Sequence, residues 1–185
     1  MLKRFAIAAA ILGSLPAVAL AHGPSRQKVE ESVEINAPAA KVWAVVGNFQ
    51  DMSWVPAVAK TEGKGGNKPA TSQASNDGAT RTLTLKNGGV IEEMLDDYDA
   101  KDMTYSYEIT KVDVKVLPVN DYSSHITVTA DGDNKSTLEW KGAFYRGYMN
   151  NDPPPNLNDE ASKKAVEDLY KSTLAAVKAK IEGGK

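Results

Sequence analysis

Alternation of period two recurs between residues 28 and 144, then gives way to one long run of helical period. Strands bury every second residue and helices every third or fourth, so a chain that changes period once in this way folds as a sheet followed by a helix. In residues 28–35, Val29, Glu31, Val33 and Ile35 share one face, opposite Lys28, Glu30, Ser32 and Glu34. Later inward faces are Arg81, Leu83 and Leu85; Met103, Tyr105, Tyr107 and Ile109; Tyr122, Ser124, Ile126 and Val128; and Leu138, Trp140, Gly142 and Phe144. Asn87-Gly88-Gly89 marks a hairpin into residues 90–95, and Asp131-Gly132 marks another turn. Such short connections predict an antiparallel sheet with one apolar and one polar face.

After the first strand, Asn36 reads as a helix cap and Pro38 as a first-turn residue, with Val42, Trp43, Val45 and Val46 at helical spacing. A second short helix is expected over residues 49–54, ended by Pro56. Residues 61–79, rich in Gly, Ser, Thr and Asn, read as a mobile surface loop; they lack the spacing of a phosphate-binding loop. Residues 150–155 contain three prolines and form a stiff connector. The final helix is expected over residues 157–181, with Asn156 and Asp159 as its capping box. Val166, Leu169, Tyr170, Thr173, Leu174, Val177 and Ile181 form its apolar stripe. At 1.5 Å per residue it spans on the order of 35 Å, enough to cross a sheet.

Residues 1–21 read as an export leader: Lys3 and Arg4, an apolar run, then Ala19-Leu20-Ala21, with cleavage before His22. The apolar run is short for a membrane span and no second one follows, so residues 22–185 are expected as a single exported, periplasmic domain. That domain contains no Cys, which excludes a disulfide framework and a thiol nucleophile. The whole chain has 22 Lys plus Arg against 24 Asp plus Glu, without the basic excess that drives nucleic-acid binding.

Reactive constellations are sparse. Ser123, Ser124 and His125 adjoin, but neighbours along a strand point to opposite faces, so no triad is expected. Two His and no Cys leave no metal-binding pattern, and no haem attachment motif occurs, so no metal or cofactor is expected. Glu92, Glu93, Asp96 and Asp97 read as a solvated acidic rim able to steer a basic partner. Met103, Tyr105, Tyr107, Trp140 and Phe144 form an aromatic wall facing the long helix, and Arg81 shares a face with Leu83 and Leu85. Such a wall is either packed core or the lining of a pocket for a small apolar ligand. Arg81 either snorkels at the rim or meets an anion or carboxylate. Tyr145, Arg146 and Tyr148, before the connector, read as an exposed contact segment.

The order strand, two short helices, further strands and a long terminal helix, with residues 37–46 and Trp54, resembles the START/Bet v 1-like (SRPBCC) superfamily, which includes polyketide cyclase/dehydrase-type proteins. This implies an α+β helix-grip fold: a curved antiparallel sheet of about seven strands around the long C-terminal helix. Further segments, among them His22-Gly23-Pro24, residues 80–88, Met103-Thr104-Tyr105-Ser106-Tyr107 and Phe144-Tyr145-Arg146-Gly147, resemble the MxaD-like family of periplasmic accessory proteins of bacterial methanol oxidation. That resemblance implies a non-enzymatic role, aiding contact or electron transfer between methanol dehydrogenase and its c-type cytochrome. A carrier of a small apolar ligand and a polyketide cyclase-like enzyme remain as alternatives.

Overall fold

The computed structural model describes residues 23–72 and 75–183. The leader and its cleavage before His22 lie outside the described residues. The elements run β1 (Gln27–Ile35), α1 (Ala39–Val46), β2 (Val58–Lys64), β3 (Thr80–Leu85), β4 (Val90–Asp99), β5 (Thr104–Val112), β6 (Val119–Ala130), β7 (Ser136–Arg146) and α2 (Asp159–Gly183). All seven strands join one antiparallel sheet in the order β1-β7-β6-β5-β4-β3-β2. The expected α+β helix-grip fold is observed.

Period two builds the concave face. Leu138, Trp140, Gly142, Phe144 and Arg146 of β7 are all buried, and Tyr122, Ser124, Ile126 and Val128 face inward from β6. Irregularities in pairing between Leu95 and Asp97 and between Asn120 and Ser123 curve the sheet. α2 lies against β1 and β7, burying Val166, Tyr170, Leu174, Val177 and Ile181. Each fully buried side chain of this size contributes roughly 1.5–3 kcal/mol. No helix among the described residues is long and apolar enough to cross a membrane.

Four local expectations are corrected. Residues 49–54 form no second helix; separate turns follow one another instead, with Asp51 N bonded to Asn48 O, Val55 N to Met52 O and Val58 N to Val55 O. These turns drive Phe49, Met52, Trp54 and Val55 into the core. Asn36 does not cap α1; its backbone and side-chain N–H groups both donate to Glu182 Oε1, tying the end of α2 to β1. Asn158, rather than Asn156, caps α2, its Oδ1 accepting from Ala161 N at 2.8 Å. Finally, residues 61–64 belong to β2, and the remaining loop is tied back by Ala79 N to Lys68 O and Ala70 N to Leu95 O.

Candidate functional site

The concave sheet and α2 do not close completely. A cavity of about 260 Å³ lies among β3, β4 and β5, the turns at residues 52–58, and Ala165 and Leu169 of α2. Its walls are mainly apolar, with Val55, Leu83, Ile91, Ile109 and Leu169 prominent. The polar exceptions are Asn87 and, from three adjacent strands, Glu93, Tyr107 and Tyr122. An apolar hollow with a few polar groups is the usual form of a small-molecule site.

Glu93 is held by Arg81. The two face each other across the β3–β4 pair, with Arg81 Nε donating to Glu93 Oε2 at 2.5 Å and Nη1 donating to Phe49 O at 2.7 Å. The guanidinium carbon lies 4.1 Å from the centre of the Phe49 ring and 4.6 Å from that of Tyr107, a doubly stacked cation. Both side chains are buried. Burial raises the Glu93 carboxyl above its ordinary value, against the pull of Arg81. Burial also opposes the Arg81 charge, but the Glu93 carboxylate overcomes this and leaves the guanidinium raised. Arginine keeps its proton at any ordinary pH, so neutralising Glu93 would strand a buried cation; the pair is therefore ionised around neutrality. Arg81 Nη2 and the Tyr105 hydroxyl, both buried, make no hydrogen bond of ordinary geometry.

Beside this pair runs a chain of neutral hydrogen bonds. Trp140 Nε1 donates to Ser124 Oγ at 2.7 Å, and Ser124 Oγ donates to Lys141 O at 2.8 Å. Ser124 has then spent its only proton, so Tyr170, 3.3 Å away, must donate to it. Tyr170 in turn accepts from the hydroxyl of Tyr122. Burial pushes Tyr105 up to about 12 and raises Tyr107, Tyr122 and Tyr170 well above the ordinary phenol value. All four therefore stay protonated at neutral pH. Among the described polar residues lining the cavity, Glu93 alone carries a charge there.

The expected site residues separate into layers. Tyr107 and Trp140 line the cavity, while Arg81 and Tyr105 lie behind its wall. Phe144 is fully buried and stacked on Tyr122 at 6.0 Å. Met103 has left the strand pattern: it precedes β5 with a φ of +51° and is only half-buried. The acidic rim is also divided. Glu93 points inward and is no rim residue, whereas Glu92 is half-open and pairs with Lys111, and Asp97 is exposed. Asp96 is half-buried, its carboxyl pushed up to about 6 by burial and by the Glu108 and Asp97 charges.

Arg146 is buried rather than offered to a partner. It donates to Asp159 Oδ2, Tyr148 O and Asn150 O, clamping the connector to the start of α2. Tyr145 and Tyr148 are half-buried, Arg26 lies over the Tyr145 ring at 5.5 Å, and Met149 is exposed. Ser124 is buried and His125 exposed, so the two diverge as expected. Tyr122, Tyr170 and Phe49 complete the site and were not singled out from sequence. Tyr122 and Tyr170 carried a signal, since both fall on inward faces of their elements; Phe49 had none beyond its apolar character.

A sheet folded round a terminal helix over an apolar cavity defines the Bet v 1/SRPBCC type of helix-grip protein. The chain belongs to the family described as polyketide cyclase / dehydrase and lipid transport, whose model matches residues 26–182. Comparison with curated protein sequences finds no significant match. Among solved structures, an uncharacterised protein from Bacillus thuringiensis is 25% identical with a TM-score of 0.67, covering 84% of this chain and 99% of its own. Norcoclaurine synthase from Thalictrum flavum, in complex with dopamine and hydroxybenzaldehyde, is 14% identical with a TM-score of 0.59, covering 96% of this chain and 99% of its own. The Zhui aromatase/cyclase from Streptomyces sp. R1128 is 16% identical with a TM-score of 0.60, covering 85% and 94%. At these identities the two enzymes share the fold alone.

Proposed function

We propose that this protein binds a small, mainly apolar molecule in the cavity between its sheet and α2. The observation that carries this reading is the apolar hollow of about 260 Å³ between the sheet and α2, with the polar side chains of its wall being Asn87, Glu93, Tyr107 and Tyr122. An engineered apolar cavity of roughly 150 Å³ holds benzene, so this one has room for an aromatic ring with a short substituent. The small aromatic molecules seen with norcoclaurine synthase, a protein of the same fold, support that scale.

Calorimetry with small alkylbenzenes and their hydroxyl, amine and carboxylate derivatives tests the reading, alongside Ala165→Leu, which adds bulk to the cavity wall from α2. Saturable binding that Ala165→Leu abolishes, with unchanged circular dichroism, supports it. Absence of binding to wild-type protein overturns it.

A second reading rests on the MxaD-like sequence resemblance: an exported protein that assists methanol dehydrogenase or its c-type cytochrome by surface contact. The exposed Met149 beside Tyr148, and the open carboxylates of Glu92 and Asp97, supply an apolar anchor and charge for such contact. Adding pure protein should speed cytochrome reduction and leave dye-linked dehydrogenase activity unchanged. No change in cytochrome reduction defeats this reading. Export itself is checked by sequencing the amino terminus of the mature protein, which should begin at His22.

A further inference from the structure

We infer that the cavity selects a neutral ligand carrying a hydroxyl group, in preference to a plain hydrocarbon, an amine cation or a carboxylate. The inference rests on the proposed binding in this cavity and follows from how its polar wall is wired.

The wall formed by Glu93, Tyr107 and Tyr122 is rich in acceptors. Tyr122 gives its proton to Tyr170, because Tyr170 must donate to Ser124 and Ser124 donates to Lys141 O. The Tyr122 oxygen therefore keeps a lone pair and has no proton to offer. Glu93 has one oxygen bonded to Arg81, which is its one hydrogen-bond partner among the described residues. Its other oxygen, on a residue that lines the cavity, remains an acceptor. A ligand that donates a proton satisfies these groups; a hydrocarbon leaves them dry and unpaired, at a cost.

Charge then separates the donors. Arg81 already neutralises Glu93, so a bound ammonium would leave a net positive charge in a buried apolar space. A carboxylate would bring a second anion to Glu93 and leave a net negative charge. Desolvation penalises both, and no further counter-ion lines the cavity among the described residues. A hydroxyl donates without disturbing the balance. Tyr107, with its proton retained, can complete the arrangement by donating to the same hydroxyl oxygen.

Four probes on one frame test this: ethylbenzene, 2-phenylethanol, phenethylamine and phenylacetate, titrated into the protein by calorimetry at pH 7. In a featureless apolar cavity the hydroxyl would lower affinity, since its hydration is lost without replacement. The wired wall reverses that order, and 2-phenylethanol should bind about tenfold or more tighter than each of the other three.

Glu93→Gln should leave the Arg81 charge uncompensated, so that phenylacetate overtakes 2-phenylethanol. Tyr122→Phe leaves the ion pair intact and provides an independent arm if the first variant does not fold. It should shrink the advantage of the alcohol over ethylbenzene severalfold. Ethylbenzene binding as tightly as the alcohol, or an alcohol preference that survives Tyr122→Phe and Glu93→Gln unchanged, overturns the inference while leaving cavity binding in place. Failure of all four probes to bind removes both.

Discussion

The hydroxyl of Tyr170 rests against the backbone of Gly142, closer than any side chain on residue 142 would allow. Trp140, two residues earlier on the same face of β7, stacks on the Tyr170 ring at 4.2 Å and 14°. Tyr122 and Ser124 hold the hydroxyl from β6. One tyrosine of the helix thus enters a gap that β7 leaves by having no Cβ at that position.

Gly142→Ala should therefore destabilise the fold by about 1–3 kcal/mol, because a locked ring cannot step aside. Adding Tyr170→Phe should recover part of that loss, since the ring carbon that bore the hydroxyl stays 3.3 Å from the added methyl. Urea unfolding of the two single variants and the double variant checks this; strictly additive effects would contradict the contact.

The Arg81–Glu93 pair should behave as a buried unit. Arg81→Met or Glu93→Leu alone should cost about 3–5 kcal/mol, since each leaves one charge without its partner. The double variant should be much closer to wild type than the sum of the two. Equilibrium denaturation gives the coupling directly, and a double variant as unstable as that sum would show that the two charges act independently.

At the start of α2, Asn158→Ala should cost about 1 kcal/mol through loss of the bond to Ala161 N. Asn156→Ala, two residues earlier and exposed, should stay within about 0.5 kcal/mol of wild type. Thermal unfolding of the two variants separates the true cap from its neighbour.

Asp96 sets a pH dependence. Its carboxyl is raised to about 6 in the folded chain from an ordinary 3.8, so the folded state binds the proton more tightly than the unfolded one. The associated stabilisation is complete below about 3.8 and is lost as pH rises through about 6. Asp96→Asn should thus stabilise the protein at pH 7 and do little at pH 4. The side chain is only partly buried, so screening limits the gain to about 1 kcal/mol or less. Urea midpoints at the two pH values check the sign.

Much of the sheet was legible because β7 alternates along its whole length and β6 from Tyr122 to Val128. β2 was not, since Val58 is its only buried residue and the rest of this edge strand is half-buried or exposed. An edge strand that buries so little prints no period in the sequence. Glu93 was misplaced for a different reason. Strict alternation would put residues 93 and 97 on one side, but the irregularity between Leu95 and Asp97 shifts the phase, turning Glu93 inward and Asp97 outward. Arg146 had a readable signal: the buried series Leu138, Trp140, Gly142 and Phe144 simply continues by two. Its charge suggested solvent, yet its donors are spent on Asp159 and on backbone carbonyls. At the candidate site, Tyr107 and Trp140 could be read from the pattern. The hollow between them could not, because it depends on how the turns at residues 52–58 pack against α2.

The placement of the indoles has an optical consequence. Trp140 forms part of the cavity wall, and Trp54 lies 5.6 Å from it. Trp43, the third tryptophan, sits apart from that wall beside Tyr98. A guest entering the hollow displaces the surroundings of one emitter and leaves another untouched. The chain is thereby a self-labelled sensor, whose change in emission reports its own loading without an attached dye.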